Sequence, residues 1–166
     1  MVHRDFPMPE RLRGHAQAWL DRDAAKEDSR QDPAPAKPSA TVMLLRPGGS
    51  GPEVFVLRRA ATMAFAADML AFPGGGVDPR DVDPRVPWAG PSPEEWALRL
   101  RTSVDRAREL VIAAVREVFE ECGVLLAGPD ADTVVADLTA PVWDEERDAL
   151  LAREQSFAEL LIRRDL

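Results

Sequence analysis

The sequence has a single cysteine, Cys122, and only two histidines, His3 and His15. One cysteine excludes an intrachain disulfide and a cysteine-rich zinc site, and it suits a reducing cytosol. Both histidines stand near the N-terminus, so no Ser/His/Asp or Cys/His arrangement has a base near the middle of the chain. Lysine is nearly missing: Lys26 and Lys37 are the sole lysines, and arginine carries almost all the positive charge. No apolar run approaches ~18 residues, and the opening Met1-Val2-His3-Arg4-Asp5 lacks the apolar core of a signal peptide. No GxxxxGK(S/T) loop is present to suggest a phosphate-binding NTPase. The expectation is a soluble, cytoplasmic protein.

What is present bounds the class. With 166 residues and 45% apolar composition, one domain with a real core is the natural reading. The formal charge of −8 argues against nonspecific binding to nucleic acid or to an anionic membrane. It also means that a phosphate ester approaching an acidic face would be repelled unless cations intervened.

Along the chain, residues 8–27 read as a modest amphipathic helix with Leu12, Ala16, Trp19 and Leu20 on one side. Trp19 either docks this segment onto the main body or leaves it a loose arm. The proline-rich stretch 28–39 reads as an extended linker, so 1–39 forms an arm and 40–166 the main domain. Ala40–Arg46 and Glu53–Arg59 predict a hairpin with a loose loop over 47–52, and Met69–Phe72 a further short strand. Ser92-Pro93-Glu94-Glu95 fits a helix start, predicting a short helix to about Arg101 with Trp96 and Leu100 inward. Beyond Val124–Leu126, a short strand, the chain turns at Gly128-Pro129-Asp130. A helix over Asp144–Glu154 follows, and Ser156-Phe157-Ala158-Glu159 opens a last one.

The most informative stretch is Arg116-Glu117-Val118-Phe119-Glu120-Glu121-Cys122-Gly123-Val124. It closes an apolar-periodic run that predicts a helix, capped at its start by Ser103 or Thr102. At 3.6 residues per turn Glu117, Glu120 and Glu121 share one face, while Val111, Val115, Val118 and Cys122 form a buried stripe. Gly123 supplies a left-handed stop. Three like charges on one face repel, and most such clusters are simply solvated; a hard divalent cation, Mg²⁺ or Mn²⁺, turns that repulsion into a site. Cys122, on the buried stripe, reads as packing rather than nucleophile.

The stretch matches Arg-Glu-U-x-Glu-Glu-x-Gly-U, with U aliphatic, and so resembles the end of the Nudix box. Ala71-Phe72-Pro73-Gly74-Gly75-Gly76-Val77-Asp78-Pro79-Arg80-Asp81 resembles its beginning. Gly75 falls on the box glycine, and Asp81, six residues on, stands where the family usually has Glu. Thirty-four residues, 82–115, separate Asp81 from Arg116, far more than the ordinary box allows. The likeness is therefore to an interrupted box, as in the coenzyme A diphosphatase-like subgroup. An insertion over 82–107 reads either as a lid over substrate or as passive surface.

The resemblance implies an α/β/α sandwich with a mixed sheet, and hydrolysis of a nucleoside diphosphate linked to another group. It implies Mg²⁺ or Mn²⁺ held by Glu117, Glu120, Glu121 and the Gly75 carbonyl. Glu117 would act as general base or water orienter. Arg116 would orient its neighbours by pairing with Asp81 or Glu120. Coenzyme A or acyl-coenzyme A is the implied substrate, with Arg58, Arg59, Met63 and Phe65 as contacts; for Met63 and Phe65 a core position is the stronger reading. After the box only helical segments are evident, so the sandwich reads as incomplete and the chain as the N-terminal part of a longer protein. An open sheet edge then favours a homo-oligomer. Two other readings stand: a catalytically silent Nudix module that binds nucleotide or a partner chain, and a purely helical interaction protein.

Overall fold

The computed structural model describes residues 10, 13–14, 16–18, 20–21, 36–63 and 66–166. The chain forms two compact units, Met1–Ala36 and Lys37–Leu166. In the first, the described residues from 10 to 21 are helical and Leu20 is exposed. Leu12 and Trp19, assigned to the apolar side of this helix, lie outside the described residues.

The second unit opens with six short strands: β1 (Ser39–Thr41), β2 (Leu45–Gly48), β3 (Gly51–Val54), β4 (Leu57–Arg58), β5 (Leu70–Ala71) and β6 (Gly74–Gly76). A 3₁₀ turn at Pro79–Asp81 leads to four helices, α1 (Pro93–Leu100), α2 (Val104–Cys122), α3 (Pro141–Leu151) and α4 (Phe157–Arg164). The class is α/β. Among the described residues the strands pair as three antiparallel ladders, β1 with β6, β2 with β3, and β4 with β5.

These ladders revise the strand boundaries. The run Ala40–Arg46 is split between β1 and β2, because β1 pairs with the glycines of β6, Ala40 facing Gly75. The stretch expected as a bare turn is thus a strand. A Cβ on Gly74 would fall 2.3 Å from the Ala40 carbonyl oxygen, so this close pairing needs glycine there. The loop expected over 47–52 is tight instead. Pro47 faces Pro52 and Gly48 faces Gly51, which leaves Gly49-Ser50 at the tip of a two-residue turn. Arg46 Nε meets Glu53 Oε2 across the hairpin at 2.7 Å. Val124–Leu126 joins no ladder; it runs as irregular chain that drops Leu125 into the core.

The core lies among the helices. Ile112 and Phe119 of α2 meet Leu125, Leu150, Phe157, Leu160 and Leu161, with Val86 from the long segment between Asp81 and Arg116. The predicted stripe of α2 is therefore rotated: Val118 is buried, but Val111, Val115 and Cys122 are half-buried while Ile112 and Phe119 go deeper. The cause is the α3–α4 pair, which sets Trp143 edge-on to Phe119, ring centroids 6.4 Å apart. Helix α1 starts with the expected capping box at Ser92 and Glu95. It buries Ala97, and Leu100 faces solvent rather than the interior. Ser156 and Glu159 form the second capping box, at the start of α4. Several large apolar residues of the strand region, among them Met43, Leu45, Val54 and Leu70, are exposed.

Candidate active site

Helix α2 is delimited by local chemistry. Ser103 Oγ accepts the Arg106 amide at 3.2 Å, which opens it. Gly123, at φ 67°, closes it and donates its N–H to the Phe119 carbonyl at 2.9 Å. The three carboxylates of its last two turns have different surroundings. Glu117 and Glu120 are nearly enclosed, whereas Glu121 is exposed. Glu121 Oε2 accepts the Gly74 amide at 3.0 Å. Gly75 meets Glu117: a Cβ there would lie 2.4 Å from Glu117 Oε1. The two ends of the interrupted motif, β6 and the end of α2, are thus in direct contact.

Arg116 is the hub. Its Nε donates to Asp81 Oδ2 at 2.7 Å, and Nη1 donates to both Glu120 oxygens at 3.0 and 2.9 Å. Its Nη2 donates to Glu117 Oε1 at 2.9 Å and to the Gly76 carbonyl at 2.6 Å. All three guanidinium nitrogens are engaged, in a side chain that is buried. The motif implies Asp81 or Glu120 as partner, and the structure brings both to Arg116. Burial works against the Arg116 charge, but hydrogen bonding to Glu120 and the charges of Glu117 and Asp81 outweigh it and raise its pKa.

Asp81 is 1% exposed and holds two elements together. While Oδ2 faces Arg116, Oδ1 accepts the amide of Phe157, the first residue of α4, at 2.9 Å. Burial pushes the Asp81 carboxyl upward against the opposing pull of the Phe157 amide and Arg116. Two donors, one on each oxygen, form the environment of an ionised carboxylate. Burial likewise raises Glu117, with Arg116 opposing and Glu120 adding to the rise. Burial also pushes the Cys122 thiol up, a direction that suits packing better than nucleophilic chemistry.

Arg58 on β4 is exposed, with Nε 3.6 Å from Asp68 Oδ1. Arg59 is half-buried and its amide donates to the Met69 carbonyl at 3.0 Å. Met63 is exposed, which overturns its reading as a core residue. Phe65 lies outside the described residues. A cavity of about 380 Å³, lined by Trp88, Val111, Val115, Leu126, Phe157 and Leu161 among others, opens beside α2. Val111 and Val115 stand on the side of α2 away from Glu117 and Glu121.

Besides the Gly74 amide and the Gly76 carbonyl, two partners reach the site from beyond the motif. One is the Phe157 amide; the other is Arg147 of α3, whose Nε donates to the Glu120 carbonyl at 2.6 Å. The sole hint was that α2 has no basic residue in its last turn.

Carboxylate oxygens beside a glycine backbone are the donors that a hard divalent cation prefers, and the space where Gly75 lacks a Cβ brings Glu117 against that backbone. The donor chemistry therefore fits such an ion. As the side chains stand, Arg116 engages Glu117 and Glu120. Among the described residues, no three His, Cys, Asp or Glu groups are gathered as a ready cation cluster. No described helix is long and apolar enough to cross a membrane.

No protein-family model and no curated protein matches the chain. Among solved structures, the crystal structure of a Nudix hydrolase from Alicyclobacillus acidocaldarius is similar, at 30% sequence identity and a TM-score of 0.57. The match covers 81% of this chain, which spans 57% of the length of that hydrolase. This likeness, together with the mixture of helices and strands, shows that the chain has an α/β, Nudix-like fold.

Proposed function

We propose that the chain is a Nudix hydrolase that cleaves a nucleoside diphosphate linked to another group. The observation that carries this reading is the buried hub in which Arg116 ties Asp81, Glu117, Glu120 and the Gly76 carbonyl together beside the Gly75 backbone. Glu117, Glu120 and Glu121, with the Gly75 carbonyl, are the groups assigned to hold Mg²⁺ or Mn²⁺. When bound, the cation supplies charge neutralisation at the diphosphate oxygens. Glu117 orients the attacking water or accepts its proton, and Arg116 holds Glu117 and Glu120 in place while remaining protonated. Asp81 orients Arg116.

Coenzyme A or acyl-coenzyme A is the proposed substrate, cleaved at its diphosphate to leave a 3′,5′-adenosine bisphosphate. The support is the interruption of the box between Asp81 and Arg116. Arg58, Arg59 and Phe65, which precede the glycine strand, are the assigned substrate contacts. A panel assay with Mg²⁺, comparing coenzyme A with nucleotide sugars, dinucleotides and nucleoside triphosphates, tests both levels. Turnover of another diphosphate with inert coenzyme A removes the substrate assignment; no turnover of any removes the hydrolase reading for this chain.

A second reading is a Nudix module that is catalytically silent and binds nucleotide or a partner chain. It is favoured by the exposed apolar residues of the strand region, Met43, Leu45 and Leu70 among them. The same assay separates the two.

A further inference from the structure

The carboxylates of α2 stand at the wrong end of the helix. A helix C-terminus carries roughly half a negative charge and leaves its last carbonyls without intrahelical partners. Here that end also bears Glu117, Glu120 and Glu121, and no basic residue lies in its last turn. Arg116 stands one turn in and is fully occupied. A cation therefore has to come from elsewhere in the fold.

It comes from α3. Arg147 Nε donates to the Glu120 backbone carbonyl at 2.6 Å. Its Nη1 lies 4.0 Å from the position a Cβ on Gly123 would take, so the guanidinium sits over the closing glycine. The arginine is half-buried, and its helix is anchored on both sides. Trp143, one turn before it, meets Phe119 of α2 edge-on. Glu146, beside it, is buried among Gln155, Arg163 and Arg164, which ties α3 to α4.

We propose that Arg147 is a positioning residue of the site: reaching from α3, it caps the C-terminal turn of α2 and holds Glu120 and Glu121 in register there. The inference rests on the hydrolase reading. The charge opposes both the helix dipole and the carboxylates, and the hydrogen bond occupies the one Glu120 backbone group that the helix leaves open. The α3–α4 pair thereby becomes part of the active centre, since its other end delivers the Phe157 amide to Asp81.

The test compares Arg147→Ala and Arg147→Lys with Arg163→Ala, which loosens the same helix pair away from the site. For each, Mn²⁺ affinity, kcat and KM on the best diphosphate, amide exchange at Gly123 in metal-free protein, and melting temperature are measured. Arg147→Ala is expected to weaken Mn²⁺ binding and lower kcat by about tenfold or more, with KM little changed. Amide exchange at Gly123, whose N–H is held by the Phe119 carbonyl, is expected to quicken by about tenfold. Arg147→Lys, which keeps the charge, recovers part of each, and Arg163→Ala lowers the melting temperature while leaving Mn²⁺ affinity at the wild-type value. If Arg147→Ala does not fold, Arg147→Lys against Arg163→Ala decides the matter by the same readouts. Wild-type Mn²⁺ affinity and unchanged exchange in the Arg147 variants overturn the inference, as does an equal loss in Arg163→Ala. A wild type that neither binds Mn²⁺ nor turns over overturns the hydrolase reading, and the metal-free exchange then still decides whether Arg147 caps the turn.

Discussion

Asp81 and Arg116 are 35 residues apart in sequence and 2.7 Å apart in space. Both are almost wholly buried, and each side chain has further partners: Phe157 for Asp81, and Glu117, Glu120 and Gly76 for Arg116. The pair joins the two halves of the interrupted motif and binds α4 to them. Replacing Asp81 by Ala leaves a buried guanidinium and a buried amide short of an acceptor. Loss of one partner of a buried ion pair costs about 3–5 kcal/mol. We expect Asp81→Ala to lower stability by that order in denaturant unfolding, and Asp81→Glu to fall between it and wild type.

Gly75 and Gly74 are adjacent, yet alanine at each should act on different properties. At Gly75 the added Cβ meets the end of the flexible Glu117 side chain, which can swing aside. At Gly74 it meets the Ala40 carbonyl and Thr41 Cα, which cannot. Gly75→Ala should cost about 1–2 kcal/mol, because Glu117 gives up its hydrogen bond from the buried Arg116, and should lose most diphosphate turnover. Gly74→Ala should lower the melting temperature through the β1–β6 ladder. Thermal melting and an activity assay on both variants check the contrast.

For the metal, the double variant Glu120→Gln/Glu121→Gln should bind Mn²⁺ far more weakly than wild type. Glu120 is also a charged partner of the buried Arg116, so the metal-free double variant should be less stable than wild type, by about 1–3 kcal/mol. Calorimetry showing equal Mn²⁺ affinity in the two proteins would remove these residues from the ligand set.

Acid should loosen the α3–α4 pair. Burial raises the Glu146 carboxyl, but hydrogen bonds from Gln155, Arg163 and Arg164 outweigh it and hold the pKa below its ordinary 4.5. A depressed carboxylate contributes stability above its unfolded value, and loses it as pH falls through the folded one. Melting temperature should therefore fall as pH drops below the ordinary carboxylate value of 4.5, and Glu146→Gln should show less of this acid dependence. At neutral pH the same variant should cost about 2 kcal/mol, because its arginine partners are partly solvated.

Self-association is the expected consequence of the exposed strand region. Leu45, Val54 and Leu70 face solvent on ladders of only two strands each, and Met43, between β1 and β2, is exposed as well. Open edges with apolar faces pair readily with another chain. Size-exclusion chromatography with light scattering should find a dimer or larger species at micromolar concentration. A monodisperse monomer melting cooperatively at high temperature would show that the α3–α4 pair stabilises the domain without such pairing.

The periodic and capped elements were legible from residues alone. The spacing of Glu117, Glu120 and Glu121, the stop at Gly123 and the capping boxes at Ser92 and Ser156 are local, set within a few residues by helix geometry. The motif likewise named Asp81 and Arg116 without any coordinates. Depth and partnership were not legible in this way. Which side of α2 goes deepest depends on Trp143 and Phe157, which arrive from helices further along the chain. That β6 is a strand follows from β1, whose Ala40 faces Gly75 across the ladder. Arg147 capping Glu120 and the Phe157 amide on Asp81 span 27 and 76 residues. No period or local pattern encodes such contacts, because they arise only when packing brings distant hydrogen-bonding groups into one buried place.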